Sequence, residues 1–324
     1  MKVIQFKEVG GPDVMRIAEV PTPEPRPGMI RMKVHAVGVN FADTFFRQGT
    51  YLVRPKLPDT PGMEAAGVID AVGPNVEGLK PGMRVAAVGL KTYGEYALFY
   101  ANQTIPLPDV VSFDEGAAFP IQTLTAWFML HVSHRTEPGQ TVLVHSAAGG
   151  VGVVASQIAK AAGARVIGTV SSEAKIAVAK QHGADEVINY VTHDFAEEAK
   201  RLTNGRGVDL ILDAVGKPTF EKGLGCLAPF GHSILYGRAG GPPDKLDVFR
   251  LFEKSLKVSG FVLFTASSNH ELMRRGTEHC FQLMKEGKLK MLIGRKFPLA
   301  EAPAAHRHIE SRESVGKIVL APQG

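Results

Sequence analysis

The chain has 324 residues, 44% hydrophobic and 21% charged, the balance of a globular protein long enough for two domains. No apolar run approaches the roughly 18 residues of a membrane span, and the charged start Met1-Lys2-Val3-Ile4-Gln5-Phe6-Lys7-Glu8 does not resemble a signal peptide, so a cytoplasmic protein is expected. The net charge of +5 is scattered among acids, which argues against a nucleic-acid partner and suits an anionic cofactor.

The first residues look like a strand. Short apolar runs follow at 30–39, 66–73 and 84–88, punctuated by Pro27-Gly28, Pro61-Gly62 and Pro81-Gly82. That is the pattern of an irregular β-rich domain. The texture changes near Thr123. Strand-like runs at 141–145, 165–170, 186–189, 208–213, 232–236 and 257–261 then alternate with helical stretches at 151–162, 173–182, 194–202 and 249–255. Alternating β and α predicts a parallel sheet covered on both faces, and six strands suit a doubly wound Rossmann domain. Helices at 268–286 and 301–311 and a last strand at 317–320 complete the chain. This tail is expected to return to the first domain. The division is then 1–122 with 262–324, and 123–261 for the dinucleotide-binding domain.

The strongest signal is Val142-Leu143-Val144-His145-Ser146-Ala147-Ala148-Gly149-Gly150-Val151-Gly152. A strand enters a glycine-rich turn that opens a helix. The spacing is that of a dinucleotide fingerprint, with Ala147 in place of the first glycine. Gly149 lets backbone approach a pyrophosphate, and Gly152 lets the helix pack on its strand. The second strand, 165–170, ends without the acid that would bond the ribose hydroxyls of NAD; Glu173 lies past the turn. Thr169, Ser171, Ser172 and Lys175 stand there instead and suit a 2′-phosphate, so NADPH is predicted. Lys175 could otherwise be a solvated helix charge, and Ser172 an N-cap.

At this loop a resemblance becomes specific. Gly139-Gln140, Leu143, Ala147-Ala148-Gly149-Gly150, Gly152, Gln157 and Lys160 match the signature of the quinone oxidoreductase and zeta-crystallin family, zinc-free members of the medium-chain dehydrogenase/reductase superfamily. The similarity runs from Gly10-Gly11-Pro12 to Gly316-Lys317, through Gly38-Val39-Asn40-Phe41-Ala42-Asp43-Thr44 and Pro61-Gly62-Met63-Glu64-Ala65-Ala66-Gly67. It implies a GroES-like first domain, a cofactor cleft between the domains, and a homodimer. It places Asn40 beside the nicotinamide ribose and Thr125, near the start of a helix, against the cofactor. Gly149, Gly150, Val151 and Gly152 would hold the pyrophosphate. Ser171, Lys175 and Tyr190 would surround the 2′-phosphate. Tyr236-Gly237 would pass under the nicotinamide, whose carboxamide would meet the backbone of Phe261-Val262-Leu263. Tyr190 and Tyr236 could also be ordinary packed aromatics.

No metal is expected. Cys226 and Cys280 lack ligand spacing and read as structural thiols. Asn40 holds the position of the zinc relatives' cysteine, and Met63, beside Glu64, that of their histidine. Without a Lewis acid the easier chemistry is hydride delivery to an electrophilic acceptor, a quinone or an α,β-unsaturated carbonyl. No general acid stands out. Tyr51 and Asp43 are candidates, Tyr51 as a donor to a carbonyl oxygen. Phe45 stands where the family often has tyrosine, which puts the preferred acceptor in question. A second reading is reduction of enones or enoyl thioesters, for which Arg47, Arg54 and Lys56 offer cations. A third is a crystallin-like or RNA-binding protein that retains NADPH without turnover.

Overall fold

The computed structural model describes residues 1–322. Gln323 and Gly324, the end of the segment assigned to the first domain, lie outside the described residues. The chain divides into two compact units: residues 1–121 with the segment from Met291 onward, and Gln122–Lys290.

The second unit carries six parallel strands: β1 (Thr141–Val144), β2 (Arg165–Val170), β3 (Glu186–Asn189), β4 (Val208–Asp213), β5 (Leu227–Leu235) and β6 (Lys257–Gly260). Their order is β3-β2-β1-β4-β5-β6. Every residue of β1 and β4 is buried, as expected of central strands with helices on both faces. The chain leaves β1 toward one edge and returns through β4 toward the other. The carboxyl ends of β1 and β4 therefore flank a topological switch point, where open α/β sheets bind ligands.

Two expectations need correcting here. The stretch read as a helix at 249–255 is a 3-10 turn, Val248–Lys254. The return to the first unit comes at Met291, not at 262. The helix His270–Lys285 stays with the second unit because Gly276 admits an indole: a Cβ there would meet Trp127 at 2.8 Å and Leu124 at 3.2 Å. Trp127 Nε1 also donates to His279 Nδ1 at 2.9 Å.

The first unit is built on a seven-stranded mixed sheet. Its long strand Met29–Val39 pairs antiparallel with Glu64–Val72, with Tyr96–Tyr100 and, at its end, with Lys317–Ala321. Leu320 lies opposite Val37 and Ile318 opposite Val39, so the last strand completes a sheet begun some 280 residues earlier. Ile4, Phe6, Met32, Val34, Phe99 and Leu320 lie in one buried cluster. The short helices Phe41–Arg47 and Ala302–Glu310 also belong to this unit.

Candidate cofactor and acceptor site

The predicted turn is present and its glycines have steric reasons. After β1 the chain turns at Ser146, φ +56°, and Gly149 N–H closes onto Ser146 O at 2.8 Å. Gly149 caps the helix Gly150–Ala161. A Cβ on Gly152 would lie 2.2 Å from Ser146 O and 2.8 Å from Ala147 Cα, so only glycine lets this helix cross the turn. Ala147 is tolerated in place of the first glycine because Gly168 on β2 gives way: a Cβ on Gly168 would meet Ala147 Cβ at 2.7 Å. The helix start leaves its first N–H groups and the positive end of its dipole available at the turn, the features that bind a pyrophosphate.

At the end of β2, Ser171, Ser172 and Lys175 are half-buried, and Tyr190 just past β3 is 39% exposed. Tyr190 N–H donates to Val170 O at 3.0 Å, which draws it beside Ser171. Glu173 is held by Asn189 Nδ2 at 2.9 Å. Thr169 needs correction. Its side chain is fully buried, with Oγ1 2.9 Å from His145 Nδ1, so it faces the sheet interior and not a phosphate. Burial holds His145 below the ordinary histidine range, against the pull of Asp213. Ser172 stands at the N-cap of the helix Glu173–Gln181 without a side-chain cap bond.

Asp213, which had no predicted role, organises the end of β4. Its buried Oδ1 accepts from Val215 N–H (2.7 Å), Gly216 N–H (3.1 Å) and Thr219 Oγ1 (2.9 Å). Tyr236 N–H then donates to Asp213 O, which anchors the Tyr236-Gly237 segment. A Cβ on Gly237 would lie 2.6 Å from Ala214 O, so the two loops touch backbone to backbone. Burial, with Asp213 nearby, pushes the Tyr236 phenol up and keeps it neutral. After β6, Phe261 N–H is committed to Leu235 O at 2.9 Å, and the carbonyls of Val262 and Leu263 accept the N–H groups of Ala266 and Ser267 at 3.4 and 2.7 Å. Thr125 is buried and sixth in the helix Pro120–Phe128, in its second half and not near its start. A recess of about 550 Å³ near this helix is lined by Trp127, His131, Arg135, Arg275 and His279 and includes none of the predicted residues.

The first unit brings together side chains far apart in sequence. Asn40 Nδ2 donates to Glu64 Oε1 at 2.8 Å, and Asn40 Oδ1 accepts from Lys317 Nζ at 2.7 Å. Lys317 also pairs with Glu64 at 2.5 Å, both side chains being almost wholly buried, and Glu64 Oε2 accepts Ile121 N–H at 2.8 Å. These charges fix the orientation of the Asn40 amide: oxygen toward the ammonium, nitrogen toward the carboxylate. Gly38 leaves room for the pair, since a Cβ there would lie 2.6 Å from Glu64 Oε1 and 2.8 Å from Lys317 Cε. This donor set does not fit a zinc ion, because an ammonium already neutralises the carboxylate that meets the Asn40 side chain. Among the described residues no three His, Cys, Asp or Glu side chains cluster as metal donors. Glu64 and Lys317 were visible in the sequence, but nothing there showed that they meet.

A second buried chain runs behind Asn40. Its N–H donates to Asp43 Oδ2 at 2.8 Å, and Tyr93 Oη lies 3.3 Å from the same oxygen. Tyr93 Oη is 2.9 Å from His306 Nε2, and Arg47 Nη1 is 2.9 Å from His306 Nδ1. Arg47 also pairs with Glu310 at 2.6 Å. Asp43, Tyr93, Arg47 and His306 are all fully buried. Arg47 is therefore unavailable to a thioester arm, which corrects that expectation. Tyr51 is half-buried, packs on the core of this unit, and has its N–H on Phe45 O at 3.2 Å. Phe45 packs against Phe41, ring centroids 5.3 Å apart.

A β-rich unit joined to a doubly wound dinucleotide-binding unit defines a medium-chain dehydrogenase/reductase. Residues 150–278 match the zinc-binding dehydrogenase family and residues 26–109 the alcohol dehydrogenase GroES-like domain. The quinone oxidoreductase of Pseudomonas aeruginosa is 38% identical over 99% of each chain. The 2-haloacrylate reductase of a Burkholderia species is 38% identical over 97% of each. The crystal structure of Escherichia coli quinone oxidoreductase complexed with NADPH aligns with a TM-score of 0.95 at 34% identity, covering 99% of this chain and 100% of that one. The chain belongs to the quinone oxidoreductase family of that superfamily.

Proposed function

We propose that the protein is a zinc-independent, NADPH-dependent reductase of quinones. The observation that carries this reading is the Ser146–Gly152 turn, where the required absence of a side chain at Gly152 lets a helix start face the ligand with bare peptide groups. Gly149, Gly150, Val151 and Gly152 would hold the pyrophosphate. Ser171, Lys175 and Tyr190 would receive the 2′-phosphate. Tyr236, Gly237, Thr125, Asn40 and the Phe261–Leu263 backbone would position the nicotinamide end. When bound, NADPH supplies the hydride. The protein orients the acceptor, excludes water and stabilises charge on the acceptor oxygen. The zinc-free reading is supported by the Asn40–Glu64–Lys317 arrangement, in which an ammonium supplies the positive charge. Cytoplasmic residence and a homodimer are proposed from the family alone. No described helix is long and apolar enough to cross a membrane.

The relative that reduces a 2-haloacrylate favours a second reading, reduction of an activated C=C bond. The test is NADPH oxidation followed by its absorbance, with one panel of quinones and one of enones and acrylates. Turnover with quinones supports the first reading, and turnover with the second panel alone supports the other. Tight NADPH binding without turnover on either would replace both with a protein that stores the dinucleotide.

A further inference from the structure

We propose that the recess between the helices Pro120–Phe128 and His270–Lys285 is a second binding site, and that its ligand is a small aromatic carboxylate. The recess holds about 550 Å³, within the range of small-molecule sites. All its walls belong to the second unit, and none is among the residues assigned to the cofactor. Its occupancy does not depend on the reductase reading.

Local structure builds the walls. Gly276 lets the long helix settle on the Trp127 indole, and Trp127 Nε1 donates to His279 Nδ1 at 2.9 Å. That nitrogen accepts, so the proton of the neutral His279 ring sits on Nε2. The His131 ring lies between the two, with its centroid 5.6 Å from that of Trp127 and 5.0 Å from that of His279. His131 belongs to a π turn, Met129–Ser133, a rare form that recurs at functional sites. His134 N–H closes this turn on Met129 O at 3.1 Å. Arg135 then stands at φ +60°, a left-handed conformation that costs a side-chain-bearing residue energy and that clusters at ligand sites.

Charge and shape select the ligand. Arg135 and Arg275 line the recess, and neither makes a hydrogen bond or ion pair among the described residues. The nearby acids are already committed. Arg274 Nη1 donates to both Glu278 carboxylate oxygens at 2.8 and 2.9 Å, and Arg274 pairs with Glu271 at 2.8 Å. Burial, with His279 beside it, pushes His131 down to about 4, so its ring is uncharged near neutrality. The uncompensated charge is therefore two guanidiniums, whose planar forks bind carboxylates through paired hydrogen bonds. His131 Nε2 is buried without a hydrogen-bond partner, a lack that a polar ligand atom would fill. Val132 and Leu272 add apolar wall to the three rings, and stacked rings favour a flat occupant. A metal cation would meet the guanidiniums, and a ringless anion would leave the aromatic wall unused.

Trp127 is the sole tryptophan of the chain, so the fluorescence of the unlabelled protein reports on this recess. The full chain is titrated with benzoate, with benzyl alcohol as the uncharged ring and with inorganic phosphate as the ringless anion. Calorimetry repeats each titration. Benzoate should give a saturable change in fluorescence that weakens as salt is added. Arg135→Gln and Arg275→Gln alter exposed side chains and should leave the fold intact. Combined, they should weaken benzoate about tenfold. Benzyl alcohol and phosphate should each bind the wild type about tenfold more weakly than benzoate does. Three results overturn the proposal: no benzoate binding by either method, unchanged benzoate affinity in the double variant, or phosphate or benzyl alcohol binding as tightly as benzoate.

Discussion

The two units build their polar centres from different materials. In the second unit that centre, the proposed ligand-binding turn and its neighbours, is backbone: a turn, a helix start and a loop crossing, in which Gly152 and Gly237 are needed because another peptide lies within van der Waals distance. In the first unit it is side chains: the buried Lys317–Glu64 pair gripping Asn40, and the Arg47–His306–Tyr93–Asp43 chain behind it. A backbone site depends on the absence of atoms and is preorganised by sterics. A side-chain network depends on every partner being present, since a buried charge left alone is costly.

The largest effect expected from this contrast is in the first unit. Lys317→Met should cost about 3–5 kcal/mol, because Glu64 is left buried without its cation. Adding Glu64→Gln should recover much of that loss. Chemical unfolding of both variants checks it, and a loss under about 1 kcal/mol for the single variant would show that the pair is hydrated in solution.

Next comes the cation at the adenosine end. Lys175→Ala should weaken NADPH by about 1.5–3 kcal/mol, roughly 10- to 100-fold, and leave NADH nearly unchanged. Calorimetric titration of both cofactors decides it. Equal losses would mean that Lys175 does not contact the 2′-phosphate.

Gly152→Ala should cost about 1–3 kcal/mol of stability by overpacking the turn. Binding of NADH and NADPH should fall together, because the displaced peptides serve the pyrophosphate common to both. Discrimination between the cofactors in this variant would contradict the backbone reading.

Smallest when read one pH unit at a time is a pH dependence. Burial pushes His306 down from 6.5 to about 3, and His131 and His232 to about 4. As pH falls below 6.5 the unfolded chain takes up these protons and the folded one does not. Each histidine then removes up to about 1.4 kcal/mol per pH unit, until the pH reaches its folded value. Asp43 acts with the opposite sign. Its folded value of about 7 lies above the unfolded 3.8, so its contribution is full below pH 3.8 and is lost as pH rises toward 7. Unfolding midpoints from pH 7 down to 4 should fall in the wild type and fall less in His306→Gln.

Much of the second unit could be read from the chain. The strands predicted at 165–170 and 208–213 match to the residue, because inner parallel strands are nearly continuous apolar runs, and the edge strand predicted at 186–189 matches as well. The turn was legible too, since a glycine fingerprint lies within seven consecutive residues. The Thr169 prediction failed because strand alternation points that hydroxyl at His145, which composition at a strand end does not reveal. The helix Phe220–Gly225 went unread because its two glycines break the helical pattern.

By itself the sequence determined what local rules govern: the alternation of strand and helix, the glycine turn, the lack of an acid at the end of β2, and the family. Only the tertiary structure decided the first unit's chemistry. Asn40, Glu64 and Lys317, like Arg47, Tyr93 and His306, come from segments that meet when the final strand pairs with Met29–Val39 and the helix Ala302–Glu310 packs beside Phe41–Arg47. No periodicity or motif records such meetings, because a charge is read by its neighbours in space.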